Sequence, residues 1–139
     1  MTAATDEVRV RIATDDDIVT ARQEGRRLSS ELGFTSTDLT LIATAISEVA
    51  RNIRLYAGRG DVQLKLVREG DRGGISVVAR DEGPGIADVE LAMRDGYSSG
   101  GGSGLGLPGA RRLMDEFEIR SKPGNGVMVA MKKWTRGRG

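Results

Sequence analysis

Histidine and cysteine are both missing from the 139 residues. Their absence removes the usual base of hydrolytic triads, the thiol nucleophile and nearly every soft-metal ligand set. Zinc enzymes, cysteine enzymes and self-phosphorylating histidine kinases are therefore excluded as self-contained readings. No charge of one sign dominates: 21 Lys and Arg stand against 20 Asp and Glu, a formal charge of +1. Such a balance gives no bulk field that would draw nucleic acid or an anionic membrane surface. Long apolar runs are lacking too. The longest, Val127 to Met131, has five residues, whereas a membrane span needs roughly 20. The N-terminus shows no basic-then-apolar leader, so a cytoplasmic protein without a processed segment is expected.

What is abundant is glycine, 20 of 139 residues, roughly twice the usual share. Fourteen of them lie between Gly58 and Gly109, with apolar segments between, which separates the pattern from a glycine-rich linker. One domain over residues 1–139 is expected, with frayed tails at 1–6 and 135–139.

Val8 to Ile12 alternate apolar and charged residues at period two, the pattern of an edge strand with one covered face. Thr14 to Asp17 supply a cap and acidic groups for a helix carrying Ile18, Ala21, Gly25, Leu28 and Leu32, ended by Gly33. Ser36 to Asp38 open a second helix. Its Leu39, Ile42, Ile46, Val49, Ala50 and Ile53 form one buried stripe. Leu41, Ala45, Glu48 and Asn52 form another stripe on a different side, apolar at its start and polar at its end. That places Glu48 and Asn52 at the rim of a cavity.

A hairpin follows, from Val62–Val67 to Ile75–Ala79, running directly into Asp81. A short helical stretch at 89–93, a helix from Pro108 through Leu113 and Met114, and a closing hairpin of 117–120 with 127–131 complete the chain. This order predicts an α+β fold: a two-layer sandwich with a mixed, mostly antiparallel sheet covered on one face by helices.

The glycine motifs fail two common phosphate-binding patterns. None of the four lysines follows a glycine, so there is no Walker loop. Gly104 to Gly109 match G-x-G-x-x-G, but residues 97–103 before them are not a buried strand, so the dinucleotide context is missing. Three elements remain in order: Glu48 with Asn52 on a helix, Asp81-Glu82-Gly83-Pro84-Gly85 after a strand, and Gly102-Ser103-Gly104-Leu105-Gly106 opening a helix. Each alone is an ordinary surface or turn pattern, and their conjunction carries the argument.

In these elements the chain resembles the GHKL superfamily of ATP-binding domains, the Bergerat fold. Ser47 to Asn52 stand at the N box, Asp81 to Gly85 at the first glycine box and Gly102 to Leu107 at the second. Within that superfamily it is most similar to the anti-sigma-factor-type serine/threonine kinases, above all the stressosome switch kinases. The resemblance implies an ATP- and Mg²⁺-dependent protein kinase. Its substrate would be a serine or threonine on a STAS-domain antagonist, in a partner-switching pathway that controls a stress-response regulator. A PP2C-type phosphatase is a further expected partner, and neither nucleic acid nor membrane is expected. The alternative is an anti-sigma factor or phosphatase-activating module regulated by nucleotide.

The resemblance also implies roles. Asp81 would accept from the exocyclic amine of adenine, where guanine would present a carbonyl. Gly83 and Gly85 would let the backbone approach base and sugar. Gly102, Ser103, Gly104, Leu105 and Gly106 would receive the phosphates at a helix N-terminus. Asn52 would bind Mg²⁺, and Glu48 would be the catalytic base for the attacking hydroxyl. Read from the residues alone, Arg51 faces either solvent or a partner, and Arg111 and Arg112 either lie on a solvated helix face or reach phosphate or an acidic partner.

Overall fold

The alternation at the N-terminus becomes strand β1 (Glu7–Ile12), with Val10 and Ile12 buried and Arg9 and Arg11 exposed. The computed structural model describes residues 7–83, 106–121, 124 and 126–136. Helix α1 (Asp15–Ser29) starts at Thr14, with Asp15, Asp16 and Asp17 in its first turn. There the Asp17 carboxylate accepts hydrogen bonds from the backbone N–H groups of Ala13 and Thr14, at 2.8 and 2.9 Å. These bonds, Ala13's foremost, hold its pKa below the ordinary 3.8. A depressed carboxylate pKa adds stability that is present above the unfolded value and is lost as pH falls through the folded one. Asp17→Asn should therefore lower Tm at about pH 7, and the gap between the two proteins should narrow near pH 3. Thermal melts at both pH values check this, and a gap independent of pH would refute it.

A 3₁₀ turn, Ser30–Leu32, ends the first helical segment ahead of Gly33. Helix α2 (Ser36–Tyr56) is capped one residue earlier than expected, by Thr35, whose hydroxyl accepts from the Asp38 N–H at 3.0 Å. Both of its stripes are covered. Ile42, Ile46, Val49, Ala50 and Ile53 are buried, and so are Ala45 and Glu48 on the second line. The second cover is α3 (Gly106–Leu113), which packs against α2.

The hairpin β2 (Gly60–Glu69) and β3 (Arg72–Asp81) and the closing hairpin β4 (Glu116–Ser121) and β5 (Val127–Trp134) form where the sequence places them. The sheet order is β1-β2-β3-β5-β4. Every described pairing is antiparallel, so the mixed component is not seen among the described residues. Val62, Leu64, Ile75, Val77, Ala79, Val127, Val129 and Met131 fill one face beneath the helices. The other face presents Arg9, Arg11, Lys65, Arg80, Glu118 and Arg120. This is the expected two-layer α+β sandwich.

Two expectations change or fall outside. Thr135, at the start of the expected tail, is hydrogen-bonded to β3: its N–H donates to the Gly73 carbonyl at 2.8 Å, and the Gly73 N–H donates to its hydroxyl at 3.2 Å. These bonds extend the β3–β5 ladder past Trp134. The helical stretch expected at 89–93 lies outside the described residues. Among the described residues no helix is long and apolar enough to cross a membrane.

Candidate nucleotide site

Asp81 ends the central strand β3 and is 9% exposed. Its Oδ1 accepts from the Gly83 N–H at 2.9 Å and from the Val127 N–H at 3.2 Å. Its Oδ2 receives no hydrogen bond among the described residues. One oxygen is thus pinned by two backbone donors, and the other is an oriented acceptor. That arrangement suits recognition of an amine such as adenine's, because an ionised carboxylate can only accept.

Two of the groups that build this acceptor lie in the closing hairpin and were read from the sequence only as turn and strand. Gly126 has φ 82°, and a Cβ there would stand 2.2 Å from the Asp81 carbonyl oxygen and 3.2 Å from its Oδ1. Left-handed strain and a collision with backbone then add, each costing about 1–3 kcal/mol. Gly126→Ala should destabilise the fold by about 2–4 kcal/mol, and chemical denaturation with an unshifted midpoint would refute it. The sequence signal was a glycine at the start of β5, which looks the same as any turn glycine. Gly83 is crowded for its own reason. A Cβ there would meet Ala57 Cβ at 2.6 Å and the Tyr56 carbonyl oxygen at 3.1 Å, so within the chain the end of α2 demands glycine. The expected reason was room for base and sugar.

Glu48 is 6% exposed. Its Oε1 accepts from the Gly106 N–H at 3.1 Å and its Oε2 from Arg51 Nη1 at 3.2 Å. The first bond satisfies an orphan amide at the start of α3 and joins the N box to the end of the second glycine box. It also commits the Gly106 amide to Glu48. The second bond adds an intrachain partner for Arg51. Its side chain stays 39% exposed and also pairs with Glu48, because three residues along a helix place the two side chains together.

Asn52, one turn beyond Glu48, is half-buried, and its side chain makes no hydrogen bond among the described residues. Its amide oxygen is a hard ligand of the kind Mg²⁺ accepts. Among the described residues no group of three acidic side chains is placed to hold a metal alone. An Mg²⁺ ion here would be shared between Asn52 and phosphate oxygens, which the donor set fits. Arg111 and Arg112 are exposed on α3. Gly85, Gly102, Ser103, Gly104 and Leu105 lie outside the described residues.

A helix-covered antiparallel sheet, a strand-end aspartate and a Glu/Asn helix define a class that the comparisons identify. Residues 12–133 match the histidine kinase-like ATPase domain family, and the chain belongs to it. Its nucleotide is accordingly ATP. The fold is shared with the mycobacterial sensor histidine kinase MprB, at a TM-score of 0.54 and 22% identity over 94% of this chain and 99% of that one. It is shared also with the catalytic domain of histidine kinase ThkA, at 0.52 and 15% over 91% and 95%.

Closer in sequence is the serine/threonine-protein kinase RsbT of Bacillus subtilis (strain 168), 50% identical over 127 residues, 91% of this chain and 96% of that protein. The anti-sigma F factor of Clostridium novyi (strain NT) is 35% identical over 109 residues, 75% and 76% of the two chains. The expected resemblance is borne out, and with it the enzyme class: the chain is a protein serine/threonine kinase of the partner-switching kind.

Proposed function

We propose that this kinase uses ATP with Mg²⁺ to phosphorylate a serine or threonine on a STAS-domain antagonist, in a stressosome-type pathway in the cytoplasm. The observation that carries the proposal is the arrangement around Glu48: a buried carboxylate one turn before Asn52, bonded to the first amide of α3. Phosphoryl transfer asks a protein for position, charge neutralisation and a proton acceptor more than for covalent chemistry.

Asp81 Oδ2 accepts from the adenine amine and sets the depth of the nucleotide. Asn52 lends its amide oxygen to Mg²⁺, which when bound neutralises phosphate charge. Gly102, Ser103, Gly104 and Leu105 supply backbone donors to the phosphates ahead of α3. Glu48 takes the proton from the incoming hydroxyl as its oxygen bonds to the γ-phosphorus and the bond to ADP breaks. A carboxylate has about four acceptor positions, so its bonds to Gly106 and Arg51 are compatible with that task. Arg51 holds the carboxylate in place, a positioning role.

The test is transfer of label from ATP to a purified STAS-domain antagonist in the presence of Mg²⁺, with identification of the modified residue. Phosphoserine or phosphothreonine on the antagonist is the expected product. The similarity to anti-sigma F factors favours one second reading, a binding module regulated by nucleotide. Nucleotide binding without any transfer would leave that reading alone standing.

A further inference from the structure

The sheet face away from the helices carries a feature that the kinase chemistry does not use. Arg9, Arg11, Arg59 and Arg80 line a cleft of about 530 Å³ together with Gly60, Asp61, Asp81 and Glu82. All four arginines are exposed, and none forms an ion pair or a side-chain hydrogen bond among the described residues. Strand pairing sets their layout. Arg11 on β1 stands opposite Asp61 on β2, and Asp61 stands opposite Arg80 on β3, so two arginines flank one aspartate in a single cross-strand row. Arg9 lies two residues along β1 on the same face, and Arg59 immediately precedes β2.

We propose that this cleft docks an extended acidic segment of a partner protein that is distinct from the bound nucleotide. Charge and spacing both carry the proposal. Four unpaired guanidinium groups outnumber the carboxylates facing them, and a guanidinium offers a planar fork that fits carboxylates in pairs. Arg9 and Arg11 are separated by one strand repeat, about 6.8 Å, which is also the spacing of same-face side chains in an extended ligand. Arg11 and Arg80 are two strand spacings apart, about 10 Å. Acidic residues two positions apart can therefore meet Arg9 and Arg11, and the step across to Arg80 matches about three residues of an extended chain. Asp61 and Glu82 within the cleft repel a uniformly anionic phosphate backbone and accept from amides or a basic side chain, which favours protein over nucleic acid.

The occupant would sit one residue from the proposed adenine acceptor. The Arg80 side chain lies on the open face and that of Asp81 on the helix-covered one, so docking and nucleotide binding meet at one strand end, where Asp81 borders both.

The probe is a short peptide alternating glutamate with serine, titrated into the full chain and followed by backbone amide shifts. The expected result is shifts centred on residues 9–11, 59–61 and 80–82, weakening with added salt. Affinity should fall at least about tenfold in Arg11→Glu/Arg80→Glu. The neutral pair Arg11→Gln/Arg80→Gln, with unchanged Tm, should show an intermediate loss and guards against misfolding of the first variant. Shifts away from the cleft would overturn the proposal. So would equal affinity in the variants, or tighter binding of a single-stranded oligonucleotide of the same charge, and none of these outcomes depends on whether the kinase reading holds.

Discussion

Glu48→Gln is expected to slow phosphoryl transfer by about 10²–10⁴-fold while nucleotide affinity stays within about threefold. Glutamine keeps an oxygen that can accept from the Gly106 N–H, so the junction of α2 and α3 survives while the proton acceptor is lost. Glu48→Ala removes both. It leaves the Gly106 amide without its bond and Arg51 without its partner, which costs stability as well as rate. The comparison of the two variants in single-turnover transfer and in thermal melts separates chemistry from architecture. A glutamine variant that transfers at the wild-type rate would move the base elsewhere in the site.

Asp81→Asn should weaken ATP binding by about 10²–10³-fold. The side-chain oxygen of asparagine can keep the bonds from Gly83 and Val127. That turns its NH₂ group toward the position of the adenine amine and sets donor against donor. Loss of a charge-assisted bond, about 1.5–3 kcal/mol, then combines with an unsatisfied donor at about 1–3 kcal/mol. Stability should change little, because the backbone donors remain satisfied. The preference for adenine over guanine should also collapse, since a guanine carbonyl can accept from the new amide. Calorimetry with ATP and GTP measures both effects. Unaltered ATP affinity would remove the adenine assignment.

Much of this site is legible in the residues. The two stripes of α2 could be separated by counting, and the second one did end at a buried Glu48 and a half-buried Asn52. Period-two alternation located β1 and β2, and density of apolar and β-branched residues located the strand that delivers Asp81. What counting misses is contact between segments distant in sequence. Nothing local says that Gly126 abuts the Asp81 carbonyl, or that the Val127 amide reaches its carboxylate across 46 residues. The pairing of Arg51 was missed for a different reason. Long charged side chains usually end in water, and only the burial of Glu48 three residues earlier makes the pair form. The antiparallel closure of β5 onto β3 was also beyond the sequence pattern, which sets each strand's faces and not its neighbours.

The bond between Asp81 and Val127 has a consequence for the order in which the protein becomes competent during synthesis. A ribosome that has released everything through β3 has made the aspartate but not the amide that aims it, nor the glycine that admits it. With Asp81 in its proposed role, recognition of the base would therefore arrive late, with the final hairpin. A chain truncated before Val127 also loses Val129 and Met131 from the core beneath the helices, so it should lose helical signal and nucleotide binding together.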